Sequence, residues 1–198
     1  MPKRHTQSIF IQGGYYHVFN RGNRGEKIFL DTKDFKRYLE NLQKHKSKHN
    51  VSILTYCLMP NHIHLLLRQN GPDPISNFIQ RVHTAYTMYF NLKHKVAGHV
   101  FESRFKAKNI ARDEYLMHVS RYIHLNPLGL VTRLPAYKWS SYNAYISDAQ
   151  DPVADPKFIL NYFKRKNQTM ADAQREYKLF VRSEQKHFAE LKNLTFRH

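Results

Sequence analysis

The segment YCLMPNHIHLLLRQ, residues 56–69, decides the fold. The run VSILTYCLM at 51–59 is β-branched and apolar, Pro60 and Asn61 make a turn, and HIHLLLRQ returns from residue 62, so the stretch predicts an antiparallel hairpin. Along the second strand, alternation places Ile63, Leu65 and Leu67 on one face and His62, His64 and Leu66 on the other. Two imidazoles then stand side by side, about 6.7 Å apart along the strand. The expectation is that Ile63 turns into the core and the two histidines face outwards.

Working outward, YYHVFN from Tyr15 alternates as a strand and runs into a basic loop of Arg21, Gly22, Asn23, Arg24 and Gly25. Asp31 is placed to cap a helix that carries Phe35, Tyr38, Leu39 and Leu42 at helical spacing. Pro72 to Pro74 open a second helix, on which Phe78, Ile79, Val82, Tyr86, Tyr89 and Phe90 repeat at three and four residues. HVFESRFKAKNI reads as a strand, and ARDEYLMHVSRYIHLNP as a third helix that ends near Asn126, because the residue before a proline is pushed out of the α region. The order strand, helix, hairpin, helix, strand, helix favours an α+β fold: a ferredoxin-like antiparallel sheet with helices packed on it. After WSSYNAY the composition shifts to the aspartate- and proline-bearing SDAQDPVADP. We expect a boundary near Asp148, dividing a main domain over 1–147 from a short helical C-terminal extension over 148–198.

The 198 residues hold 32 Lys and Arg against 15 Asp and Glu, a formal charge of +17 that raises the local concentration of any polyanion. Nucleic acid is the first partner to consider. The single cysteine, Cys57, excludes internal disulfides and the usual thiolate zinc frameworks, which fits a reducing compartment. The apolar run at Ile9 to Ile11 is too short for a signal peptide and no stretch approaches a membrane span, so the expectation is a soluble cytoplasmic, nucleoid-associated protein with no membrane partner.

Neutral imidazoles are metal ligands, so His62 and His64 make a two-point clamp for a divalent ion, and equally a packed pair in a chain of 13 histidines. On the third helix Tyr122 and Asn126 stand four apart, beside the apolar stripe of Leu116, Val119 and Ile123. A tyrosine there is either a core aromatic or a nucleophile.

PNHIHLLL, SRF, RYIHLNP and WSSY, in that order after an N-terminal HVFNRGN, resemble the REP-associated tyrosine transposases, a branch of the single-tyrosine HUH (insertion-sequence 200-like) transposase family. The resemblance runs from about Gly13 to Tyr145. It implies a ferredoxin-like core and an enzyme that cuts and rejoins single-stranded DNA beside imperfect hairpins. Carried over by position, it implies that His62, His64 and Asn126 bind a divalent metal, Mg2+ or Mn2+, and that Tyr122 is the nucleophile. No P-loop pattern is present, so no nucleotide cofactor is expected.

Arg21, Arg24 and Lys27 in the first loop, Arg81, Lys93 and Lys95 on the second helix, and Arg104, Lys106, Lys108 and Arg112 before the third are candidates for a surface that tracks phosphates. Asn23 sits among glycines that let backbone approach a nucleic acid, and Tyr15, Tyr16 and His17 are candidates for stacking on unpaired bases. Two other readings stay open: a domesticated hairpin DNA- or RNA-binding protein without catalysis, and another HUH endonuclease such as a replication initiator or relaxase. Nothing in the sequence decides between a monomer and a homodimer.

Overall fold

In the computed structural model, which describes residues 10–111, 113–185 and 187–188, four strands form one antiparallel sheet. They are β1 (Tyr15–Arg21), β2 (Val51–Met59), β3 (His62–Gln69) and β4 (Lys106–Ile110), in the spatial order β2-β3-β1-β4. Between them run α1 (Thr32–Lys48) and α2 (Ile75–His94), followed by α3 (Asp113–Leu125), α4 (Tyr142–Ile146), α5 (Lys157–Leu160) and α6 (Met170–Arg182). This is the ferredoxin-like α+β arrangement the alternation predicts.

The period-2 pattern of β3 has a partner on each side of the sheet. Ile63, Leu65 and Leu67 join Tyr16, Val18 and the buried stripes of α1 and α2 in one core. Leu66, with Cys57 and Met59 of β2, joins Leu116, Val119 and Ile123 of α3 and Tyr177 and Val181 of α6 in a second. The face that bears His62 and His64 is therefore partly covered: His64 is only 8% exposed, while His62 stays partly exposed. Tyr16 points into the first core and is fully buried, which removes it as a base-stacking residue.

The strand expected over HVFESRFKAKNI is shorter than its alternation suggests. The continuous strand is Lys106–Ile110, while Glu102 N–H still donates to the Arg21 carbonyl at the end of β1, and Val100 and Phe101 bury themselves in the first core and brace the first loop, where Asn23 N–H donates to the Val100 carbonyl at 2.9 Å. Gly22 bridges to Phe101 beside that contact, and a Cβ there would lie 2.0 Å from the Glu26 carbonyl oxygen, so the loop's close approach requires glycine.

Residues after 148 form the expected short helices, and they contribute to both cores. Val153 and Ala154 enter the first, while Ile159, Leu160, Ala173, Tyr177 and Val181 enter the second. Asp155 N–H also donates to the Ile53 carbonyl on the outer edge of β2. The WSSY segment covers the rest of that edge: Leu58 N–H donates to the Trp139 carbonyl at 2.8 Å and Ser141 N–H to the Tyr56 carbonyl at 3.1 Å. The opposite edge, β4, is guarded by the exposed Lys106 and Lys108, a charge pattern that discourages further strand pairing.

Candidate active site

Cross-strand pairing lays out the second sheet face row by row. Met59, His62 and Arg21 lie opposite one another in one row, Cys57, His64, Phe19 and Lys106 in the next, and Thr55, Leu66, His17 and Lys108 in the third. Residues opposite one another in an antiparallel sheet share a face. The two histidines of the hairpin are thus joined by a third, His17 of β1, with two lysines at the strand edge beyond.

The three imidazoles touch. The His62 and His64 ring centroids are 5.1 Å apart at 86°, and His17 Nε2 lies 3.0 Å from His64 Nδ1. Burial, with Lys108 alongside, pushes the His17 pKa down to about 4, so this ring is neutral at physiological pH. Asn61 Nδ2 donates to the Gly25 carbonyl at 3.2 Å, which turns its Oδ1 toward His62 Nδ1 at 2.7 Å. An amide oxygen only accepts, so Nδ1 of His62 is the donor and, in the neutral ring, Nε2 keeps the lone pair.

Helix α3 brings Tyr122 over this face. Its ring stands edge-on to His64, with centroids 5.6 Å apart at 89°, and to His17 at 5.8 Å and 70°. Phe188 packs on another side of it at 5.6 Å. The side chain remains 42% exposed, and partial burial raises the pKa of its hydroxyl above the ordinary 10. Asn126, 3% exposed, follows the last residue of α3 rather than continuing the helical face of Tyr122. Its Nδ2 donates back to the Tyr122 carbonyl at 2.9 Å, closing the end of the helix beside the tyrosine.

What holds α3 in place is a buried polar network that sequence reasoning missed. His124, fully buried, contacts the Tyr177 hydroxyl of α6 through Nδ1 at 2.8 Å and Ser141 Oγ through Nε2 at 2.9 Å. Tyr177 donates to Ser120 Oγ at 3.1 Å, and Ser141 Oγ accepts the Tyr56 N–H of β2 at 3.0 Å. Two side chains within RYIHLNP and WSSY thus bond to each other, and they lock the tyrosine helix to the histidine hairpin and to the C-terminal helix. The available signal was a histidine and a serine inside apolar segments, polar groups that need partners once buried.

Among the described residues no group of three or more His, Cys, Asp and Glu is assembled for a metal. The candidate donors are the imidazole nitrogens of His62 and His64 and the amide oxygen of Asn126, residue types that suit a borderline or hard divalent cation. His62, already the Nδ1–H tautomer, fits such a role.

The basic candidates divide by location. Lys106 and Lys108 are exposed at the β4 edge of the histidine face, and Arg104 is exposed just before them. Arg24 is exposed at the tip of the first loop with φ 53°, and Asn23 and Lys27 are exposed beside it. Arg21 is held by Glu102, with Nη2 donating to Oε1 at 2.7 Å. Arg81 and Lys93 belong to α2, which packs on the other sheet face, and Lys95 caps its C-terminal end. Lys93 is engaged there, 2.7 Å from Asp31 Oδ1 and 2.6 Å from Asp34 Oδ1. Arg112 lies outside the described residues.

The fold is similar to that of a solved REP-associated tyrosine transposase bound to a REP hairpin, with a TM-score of 0.63 and 18% sequence identity over 76% of this chain and 91% of that one. A solved putative transposase from Deinococcus radiodurans R1 aligns with a TM-score of 0.41 and 14% identity, over 62% of this chain and 95% of that one. No match was found among curated protein sequences. The profile described as Transposase IS200 like matches residues 11–126, from ahead of β1 to the asparagine that closes the tyrosine helix, and the chain belongs to that family.

Proposed function

We propose that this protein is a DNA transposase that nicks and rejoins single-stranded DNA at hairpin-associated sites, with Tyr122 as nucleophile. The observation that supports it most is the placement of a half-exposed tyrosine ring against His64 of the PNHIH strand. Tyr122 Oη attacks the scissile phosphorus and the bond from phosphorus to the 3′ oxygen breaks. The tyrosine gives up its proton, the departing 3′ oxygen takes one up, and a 5′-phosphotyrosine and a free 3′-OH result. The linkage remains a phosphodiester, so a 3′-OH from another strand reverses the step and seals the DNA without ATP.

His62, His64 and Asn126 would hold a divalent cation, Mg2+ or Mn2+. Bound there, it would polarise the phosphate and neutralise charge in the transition state. A tyrosine whose pKa is raised by burial is a weak nucleophile at neutral pH, and this explains the need for such help. Lys106, Lys108 and Arg104, at the edge of the same face, would track the DNA backbone, with Asn23 and Arg24 reaching it from the first loop. The hairpin-bound structural relative supports a hairpin as the double-stranded part of the substrate.

The test is to incubate the protein with single-stranded oligonucleotides that carry the hairpins flanking its own gene, with Mg2+ or Mn2+. Cleavage at one position beside a hairpin is expected. Tight hairpin binding without cleavage under any metal would instead favour a domesticated binding protein, and cleavage confined to a replication or transfer origin would favour another HUH endonuclease.

A further inference from the structure

We propose that His17 is a positioning residue: it accepts the Nδ1 proton of His64 and so keeps that ring in the tautomer whose Nε2 carries the lone pair. The inference rests on the reading of His64 as a metal ligand.

The contact is an in-plane hydrogen bond rather than a stack. His17 Nε2 and His64 Nδ1 are 3.0 Å apart while the ring centroids are 5.2 Å apart, with planes inclined by only 27°. Two imidazoles lying face to face would bring their centroids nearly as close as their nearest atoms. Here the two nitrogens lie between the centroids, as a ring N–H directed at a ring lone pair requires. The sheet enforces the meeting, since His64 is opposite Phe19 and His17 is opposite Leu66, which makes the two histidines diagonal neighbours on one face.

One proton is shared along that line, and its owner decides what His64 can do. If His17 donates, His64 holds its own proton on Nε2 and that nitrogen cannot ligate. If His64 donates, its Nε2 is basic. The neighbouring histidine shows which arrangement the site is built for: His62 gives its Nδ1–H to Asn61 Oδ1, whose orientation the Gly25 carbonyl fixes. His17 does for His64 what Asn61 does for His62, and each ligand receives an outer acceptor on Nδ1. Such outer partners set ring orientation and tautomer, and their loss lowers metal affinity by about 10–100-fold.

The test reads the tautomer directly, in the full chain without metal, by long-range 1H–15N correlation of the imidazole nitrogens. His64 is expected to show a protonated Nδ1 and an unprotonated Nε2, and to shift toward the Nε2–H form in His17→Phe. His17→Gln, whose amide oxygen accepts, is expected to restore the Nδ1–H form. Mn2+ titration followed by electron paramagnetic resonance is expected to show affinity reduced about 10–100-fold in His17→Phe and recovered in His17→Gln. A wild-type His64 with its proton on Nε2 overturns the proposal, as does a folded His17→Phe with unchanged tautomer. Should His17→Phe fail to fold, the wild-type tautomer and His17→Gln decide. A wild-type protein with the expected tautomer and no Mn2+ binding would refute the metal reading alone and leave the positioning role supported.

Discussion

The Tyr122 ring meets the His64 imidazole edge-on, with centroids 5.6 Å apart and planes at 89°, although 58 positions of sequence separate the two. The contact exists because α3 crosses the second face of the sheet and is pinned there by His124. The proposed nucleophile and the buried polar network thus share this helix.

The basic residues are predicted to behave as two groups. Lys106→Ala and Lys108→Ala should weaken single-strand binding and lower the slope of log affinity against log salt by about 0.7 for each phosphate that is no longer neutralised. Lys93→Ala should leave the slope unchanged, because its ammonium is committed to Asp31 and Asp34 on the other side of the sheet. Fluorescence anisotropy at salt concentrations between about 50 and 200 mM separates the groups. A slope reduced equally by all three would contradict the division.

Asp34 is predicted to be a keystone of stability. It is fully buried, accepts the Leu30 N–H at 2.8 Å, completes the N-terminal capping box of α1 with Asp31, and receives Lys93 and His94 from the end of α2. Asp34→Ala leaves those donors without their acceptor and should cost roughly 3 kcal/mol in urea denaturation. A loss within about 0.5 kcal/mol, as for a surface residue, would refute the role.

The hairpin, the helix order and the Asp31 cap were legible because each rests on local chemistry: alternation, a Pro-Asn turn, a carboxylate ahead of an apolar stripe. His17 was not legible as part of the site, since its neighbourhood depends on β1 pairing between β3 and β4, a long-range event. The alternation also gave no sign that the histidine face would be partly covered. That depends on Tyr177, Val181 and Ile159, which lie in a segment whose helices read as peripheral because their apolar runs are short. Charge was the least informative feature, for the lysine at 93 and the lysine at 106 look alike until their neighbours are known.

The C-terminal segment is predicted to be required for folding. A chain ending at residue 147 would expose the second core, losing Tyr177 with its bonds to His124 and Ser120, and would leave Ile53 without its edge partner Asp155. Such a chain should bind 8-anilinonaphthalene-1-sulfonate strongly and lack a cooperative thermal transition. A cooperative transition with native near-ultraviolet circular dichroism would show that residues 1–147 are independent.

Stability is predicted to fall in mild acid. Burial holds the pKa values of His83 and His124 at about 3, against an ordinary 6.5. Both are neutral in the folded chain, so below pH 6.5 the unfolded chain binds protons that the folded one refuses. The folded state is at full strength above pH 6.5 and loses about 1.4 kcal/mol per pH unit for each histidine as pH falls toward 3. Urea midpoints measured at descending pH should show this decline, with a shallower slope in His124→Gln. A midpoint that does not move below pH 6.5 would contradict the burial of neutral histidines.

The most direct measurement is peptide mass spectrometry of the product formed with a hairpin-bearing single-stranded oligonucleotide. The account predicts a covalent adduct in which the 5′-phosphate of the cleaved strand is attached to Tyr122, and its complete loss in Tyr122→Phe while hairpin binding persists. An adduct mapped to any other residue, or one that survives Tyr122→Phe, would contradict it.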